Sequence, residues 1–375
     1  MRIFHVQADQ FTELAEIPVS LPAQGFLWVG SARREFEVAA PEVQAALQRW
    51  QAGALVDLHV SDLLNNQLPS HYEYTSWYDL MVFRRLAAGV GSERLFVDEA
   101  QGTMATARQA LQAIDTSPVG FAVFDRVLLT VHPADCAVRE YFATRLAGMV
   151  VGGGQLPNPS GAEGRNVARL PSSPADLMLR MVNHMVDSYL DLRRLLTRQS
   201  GYLQQQLLDP KSRVEDWQLL LESRNALNQL EDTCEDQRSA VQEWIDALAE
   251  WPDETDPDKR RERELLSVRS RDVLEHVERV LGHVRRLEQS AETAVQMHFS
   301  ALGHRTNDIM RTLTVLTAIF LPLNLITGFF GMNFDALPLI HSSTGIWLTL
   351  GLMAVVAGVL LFFFRRKRYL GRSQR

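Results

Sequence analysis

Residues 312–368 read TLTVLTAIFLPLNLITGFFG (Thr312–Gly331), MNFDALPLIHSST (Met332–Thr344), GIWLTLGLMAVVAGVLLFFF (Gly345–Phe364) and RRKR (Arg365–Arg368). The two apolar blocks are each twenty residues long, about what a helix needs to cross a hydrocarbon core. Their composition predicts a membrane hairpin at the end of a large soluble segment. The connecting loop has no Lys or Arg, whereas Arg305 and Arg311 precede the first block and Arg365–Arg368 follow the second. Positive charge stays on the cytoplasmic side, so both termini are expected inside and the loop outside.

Upstream, no proline occurs between Pro257 and Pro322. Val273, Val277, Val280, Val284, Leu287, Ala291 and Ala294 recur at alternating steps of four and three, a coiled-coil rhythm. One helix from near Arg260 through Gly331 is expected, roughly 100 Å long at 1.5 Å per residue. Before it, Leu177, Met181, His184, Met185, Ser188 and Leu192 follow helical spacing. Asp209-Pro210 ends that run, and a second helix is expected over Val214–Ala249. Residues 204–256 hold 14 Asp or Glu against 4 Lys or Arg. Such a run is ordinarily a solvated face, and near a cation pathway it would also raise the local cation concentration.

Residues 1–165 read as a mixed α/β domain. Strands are expected at Met1–Val6, Gly25–Val29, Leu55–Val60, Trp77–Phe83, Arg94–Val97, Gly120–Phe124 and Arg126–His132, and helices at Met104–Ile114 and Val138–Met149. Val151–Pro174 reads as a loop, and its Gly152-Gly153-Gly154 lacks the lysine and spacing of a phosphate-binding loop. The expected fold class is thus α+β: a cytosolic α/β domain (1–165), an acidic helical hairpin (175–256), a stalk (257–311), two membrane helices (312–331 and 345–364) flanking an external loop (332–344), and a basic tail (365–375).

Composition narrows the function. A net charge of −7 and a pI near 5.8 argue against nucleic-acid binding. The N-terminus MRIFHVQADQ has neither the basic start nor the apolar core of a signal peptide. Cys136 and Cys234 show no metal-ligand spacing and read as reduced thiols. With no nucleophile–base pair and no nucleotide loop, an enzyme is not expected, and neither is an organic cofactor.

Polar residues in the first span are the informative ones, because polar groups in lipid are costly and turn toward protein or water. Asn307, Met310, Leu313 or Thr314, Thr317, Leu321, Asn324 and Gly328 recur every three or four residues and share one helical stripe. The stripe fits either a pore wall or glue between helices. A single stripe cannot enclose a channel, so a pore requires a homo-oligomer.

Gly331-Met332-Asn333 at the end of the first span, with Pro322, Gly328, Pro338 and the basic ending, resembles the CorA family of divalent-cation channels. The resemblance is ungapped from Arg271 to Leu370 and only general in the N-terminal half. It implies a homopentamer in the inner (plasma) membrane that takes up Mg²⁺ and passes Co²⁺ and Ni²⁺. It further implies Asn333 as the outer selectivity filter, shaped by Gly331 and Met332; Asn324 and Gly328 as pore wall; Met310 and Leu313 as a hydrophobic constriction; and Asn307 at the cytoplasmic mouth. A ring of neutral amides suits Mg²⁺, which gives up its water reluctantly and can be recognised through that water. Asp272, thirty-five residues before Asn307 in sequence, matches an acid at an intersubunit regulatory Mg²⁺ site. Its partner there would be Glu93, Asp98 or Glu99 of a neighbouring copy. Departures from the family are the lone acid Asp335 where two are common, with Leu339 in the second place, and Phe330 in place of a tyrosine.

Two alternatives accompany this reading. One is a zinc transporter of the ZntB type, whose relatives tend to carry Gly-Val-Asn. Zinc favours imidazole, and His276, His283, His298 and His304 sit on the stalk, where the seven-residue step from His276 to His283 reads as a solvated face. The other is a membrane-anchored coiled-coil scaffold without transport.

Overall fold

The computed structural model describes residues 1–89, 92, 95, 103–134, 137–151, 169–208, 214–251, 255–332 and 343–367. It comprises two compact units, Met1–Glu292 and Thr293–Arg375.

In the first unit, β1 (Arg2–Gln7) turns back into β2 (Gln10–Leu14), and β3 (Phe26–Ala32) leads into α1 (Arg33–Arg49) and α2 (Asp57–Leu64). The hairpin of β4 (His71–Tyr74) and β5 (Asp79–Arg84) follows, then β6 (Ala87–Ala88), α3 (Met104–Gln112) and β7 (Ile114–Asp115). β8 (Pro118–Val123), β9 (Val127–His132) and α4 (Val138–Val151) complete the α/β part. Seven strands form one sheet in the order β2-β1-β3-β9-β8-β5-β4, while β6 and β7 pair separately. All neighbours in the large sheet are antiparallel except the central pair, β3 and β9, which run parallel from Leu27↔Val127 to Ala32↔His132.

That central pair is covered on both faces, which is why its sequences are continuous apolar runs rather than alternations. Phe26 and Trp28 enter one core, and Leu27 and Val29 the other. α1 closes one face with Phe36, Val43, Ala46 and Leu47, and α4 closes the opposite face with Phe142, Ala143, Leu146 and Met149.

Three helices then build the helical layer: α5 (Pro174–Asp187), α6 (Tyr189–Leu208) and α7 (Val214–Glu250). α5 starts where Ser173 Oγ accepts the Asp176 N–H at 3.3 Å and Pro174 supplies a preset φ. α8 (Pro257–Phe330) is a single helix of 74 residues, and α9 (Ser343–Arg366) follows it.

The four-three rhythm of α8 is satisfied by its own chain. Val273, Val277, Val280, Val284 and Leu287 are buried in one core with Leu192, Leu196 and Leu203 of α6 and Leu227, Leu230, Val241 and Trp244 of α7. Polar bonds lock the same contact: Trp244 Nε1 donates to Ser270 Oγ (2.8 Å), Gln204 Nε2 donates to Ser290 Oγ (2.7 Å), and the Tyr189 hydroxyl pairs with His283 Nδ1 (2.6 Å). His283 and His298 are buried and His276 is half-buried, so the step from His276 to His283 does not mark a solvated face, whereas His304 is exposed.

Leu55–Val60, expected as a strand, is instead the entry to α2. A short apolar run does not distinguish helix from strand by period; here His59 and Leu63, four residues apart, are the buried positions, and Asp57 lies favourably in the first turn. α1, which carries Pro41 within it, was not expected as a helix. Of Arg94–Val97, only Leu95 lies within the described residues.

Val277→Ala and Val284→Ala are each expected to cost the first unit about 2 kcal/mol while leaving the oligomeric state unchanged, as read by urea denaturation and light scattering. A seam shared between copies would instead change assembly.

Candidate pore and regulatory site

In the second unit, the last turns of α8 and all of α9 are long and apolar enough to cross a membrane, and the chain itself hardly covers them. Leu313, Leu316, Phe320, Leu325 and Phe329 on α8, and Ile346, Trp347, Val355, Val359 and Phe362 on α9, are all exposed. Burying them requires lipid or further copies of the chain.

Asn307, Met310, Leu313, Thr317, Leu321, Asn324 and Gly328 all lie on α8 and are exposed. Their polar groups divide into two kinds. The hydroxyls of Thr314 and Thr317 donate to the carbonyls of Met310 (2.7 Å) and Leu313 (2.9 Å), so the helix satisfies them internally. The side-chain amides of Asn307 and Asn324 have no hydrogen-bond partner among the described residues. The demand for a polar surrounding therefore falls on the asparagines. Pro322 removes one ladder hydrogen bond just before Asn324.

Gly331 caps the helix through its N–H to Thr327 O (2.9 Å), and a Cβ there would lie 2.8 Å from that same carbonyl. A glycine is needed where the helix ends against its own backbone. Met332 follows as an exposed residue. Asn333 and Asp335 lie outside the described residues, as do Glu93, Asp98 and Glu99.

Asp272 lies on α8 within the first unit, and its side chain is 58% exposed. One turn later, His276 Nε2 stands 3.8 Å from Asp272 Oδ1, and His276 Nδ1 stands 3.4 Å from Asp187 Oδ1 at the end of α5. The i,i+4 spacing of Asp272 and His276 was readable; Asp187 was not, because only the fold of α5 onto α8 brings it near. Among the described residues no group of three or more His, Cys, Asp or Glu is arranged to hold a metal ion.

The position of this segment of α8 is fixed by a buried carboxylate. Asp176, in the first turn of α5, pairs with Arg269 of α8 and with Arg180 Nη2 at 3.0 Å, and accepts the Ser172 N–H at 3.1 Å. Burial holds the Arg180 guanidinium down to about 10. Such a group stabilises only while all its members are present.

An α/β domain carried on a helix that continues into an unburied apolar segment, followed by a second apolar helix, defines a two-span membrane protein with a large soluble part. The family model described as CorA-like Mg²⁺ transporter protein matches residues 103–366, and the chain belongs to that family. Among its relatives is the cobalt/magnesium transport protein CorA of Thermotoga maritima, 30% identical over 100 residues, covering 27% of this chain and 28% of that protein. The magnesium transport protein CorA of Haemophilus influenzae is 32% identical over 101 residues, covering 27% of this chain and 32% of its own. These alignments thus span less than a third of the curated relatives. The complete structure of the CorA magnesium transporter from Methanocaldococcus jannaschii aligns with a TM-score of 0.67 at 18% identity, over 98% of both chains, and shares the fold.

Asp176→Asn is expected to lower the stability of the first unit by about 3–5 kcal/mol, because two guanidinium groups lose their counter-charge. Urea unfolding followed by tryptophan fluorescence measures it.

Proposed function

We propose that the protein is a homo-oligomeric channel, pentameric as the family resemblance implies, that admits Mg²⁺, with Co²⁺ and Ni²⁺, across the plasma membrane with both termini in the cytoplasm. The observation that carries this reading is the amide of Asn324, without a partner among the described residues, on an exposed and largely apolar segment inside the part that matches the family. In an oligomer arranged about that face, Asn307, Thr317, Leu321, Asn324 and Gly328 line the path, and Met310 and Leu313 form an apolar constriction. Asn333 would offer amide oxygens to the water shell of the ion at the outer mouth, with Gly331 and Met332 shaping the turn. Asp335 supplies the nearby negative charge.

Hydrated Mg²⁺ is held by second-shell hydrogen bonds more readily than by dehydration, which favours amides over the imidazoles a zinc pathway would use. The stalk histidines also speak against a zinc path: His283 is committed to Tyr189, and His276 faces Asp187 and Asp272. Mg²⁺ influx into proteoliposomes, compared with Zn²⁺, tests the reading. Asn333→Ala should reduce Mg²⁺ influx to background in a correctly assembled oligomer. Wild-type influx by that variant would remove Asn333 from the filter, and zinc influx exceeding magnesium influx would favour the zinc reading.

Regulation is proposed at Asp272. Being half exposed and lacking a full ligand set among the described residues of its own chain, it would share Mg²⁺ with an acid of the neighbouring copy, among Glu93, Asp98 and Glu99. Bound Mg²⁺ would hold the closed arrangement; its loss would leave like charges facing each other and release the stalks. Asp272→Asn is expected to abolish most of the dependence of flux and of protease protection on internal Mg²⁺. An unchanged response in both assays would leave Asp272 an ordinary surface acid.

A further inference from the structure

A cavity of about 420 Å³ opens in the first unit between the end of β5, the junction of α3 with β7, and α7. That volume lies within the roughly 300–1,000 Å³ typical of small-molecule sites. Neither the pore stripe nor Asp272 is part of its wall. Arg84, the last residue of β5, faces it from one side, and Asp232 and Asp236 of α7 face it from the other. Leu111, Ile114 and Leu230 give it an apolar side.

The charges on the two sides are not paired with each other. Arg84 is held in place by its backbone: its N–H donates to Ser70 Oγ at 3.0 Å, and its carbonyl accepts Gln237 Nε2 of α7 at 2.7 Å. Its Nη1 donates to the carbonyls of Leu68 (2.7 Å) and Asn66 (3.3 Å). The Nε–Nη2 edge, the one that grips a carboxylate with two bonds, has no partner among the described residues. Burial pushes the guanidinium below its ordinary value, and the charge of Asp236 only partly offsets that.

Asp232 and Asp236 are one helical turn apart, a spacing at which like charges repel. Neither carboxylate makes a hydrogen bond or an ion pair among the described residues. Burial, and then the charge of Asp232, raise the Asp236 carboxyl above its ordinary value; Arg84 pulls against them, and Glu235 adds to the rise. Arg84 is therefore near enough to be felt by Asp236, yet it forms no ion pair with it. The neighbouring charges are committed elsewhere. Arg85 binds Asp115 and Ser117 Oγ, and Glu235 is engaged by Arg285. Thr233, also on the wall, returns its hydroxyl proton to the Gln229 carbonyl at 2.7 Å. What faces the cavity is one uncompensated guanidinium edge and two uncompensated carboxylates. A lone anion would meet the carboxylates, and a lone cation would meet the guanidinium. A molecule carrying both charges satisfies both sides.

We propose that the cavity between β5 and α7 binds a free amino acid with an apolar side chain, its carboxylate on the Arg84 guanidinium, its ammonium on Asp232 and Asp236, and its side chain against Leu111, Ile114 and Leu230. The anchored backbone of Arg84 presents the guanidinium in advance of binding, which lowers the cost of ordering it. The site lies wholly within the first unit and is independent of the pore, so its test is read by binding rather than flux.

The purified full-length protein is titrated calorimetrically with L-leucine at constant ionic strength. 4-Methylpentanoate, which is leucine without its amine, and 3-methylbutylamine, which is leucine without its carboxylate, are titrated alongside. Saturable binding of leucine is expected, with each of the other two at least about tenfold weaker, because each lacks one set of charge-assisted bonds. The same loss is expected for leucine in Arg84→Gln and in the double variant Asp232→Asn, Asp236→Asn. Arg84 also holds the carbonyls of Asn66 and Leu68, so its variant is the one that could fail to fold. The aspartate variant removes a repulsion from the outside of a helix and keeps the test valid in that event. Three results overturn the proposal: no saturable binding of leucine by wild type up to about 10 mM, wild-type affinity for leucine in the double aspartate variant, or binding of the acid or of the amine as tight as that of leucine.

Discussion

One helix has to satisfy two surroundings. Through Val273, Val277, Val280, Val284 and Leu287, α8 buries a seam against α6 and α7 of its own chain. Further on, the same helix turns Leu313, Leu316, Phe320, Leu325 and Phe329 outward. The backbone makes no break between the two regimes; only the side chains change. A rotation or shift of the valine seam is costly, because close-packed cores admit discrete arrangements rather than continuous ones.

What was legible in the sequence follows from which forces are local. The two apolar helices were readable because twenty-residue apolar blocks have few other uses, and the central strands because burial on both faces removes alternation. The entry to α2 misled because LVDLHV is short and apolar, and only the burial of His59 and Leu63 reveals a helical period. The valine rhythm was visible, but its partner was not: period reports that a face is buried, never what buries it. Asp187 near His276, and Arg269 on Asp176, were invisible for the same reason, since each joins elements far apart in the chain. On α8, spacing placed the threonines and asparagines on one stripe, yet it did not separate hydroxyls satisfied by their own helix from amides that are not.

That separation bears on what can contact an ion path. A threonine in a helix returns its proton to the carbonyl one turn back at little cost, so it is tolerated against lipid, protein or water alike. An asparagine carries two donors and an acceptor that the helix ladder does not accommodate. Asn324, next to the hydrogen bond that Pro322 removes, concentrates most of the unmet polarity of the span. The threonines of the same stripe add little to it.

The acids of the first unit fall into two kinds for a comparable reason. Asp176 is buried, paired with two guanidinium groups and a backbone N–H, and exchanges none of them without loss of fold. Asp272, on the same helix as Arg269, is more than half exposed and among the described residues meets only His276, at 3.8 Å. A ligand that must come and go has to be bound by a group of the second kind, because only there does release cost no core packing. Arg269, through which Asp176 ties α8 to α5, lies three residues before Asp272 on the same helix, so the firmly held acid and the loosely held one act on one stretch of α8. On the proposed reading, therefore, the carboxylate that responds to Mg²⁺ is reversible because the carboxylate that anchors the helix is not.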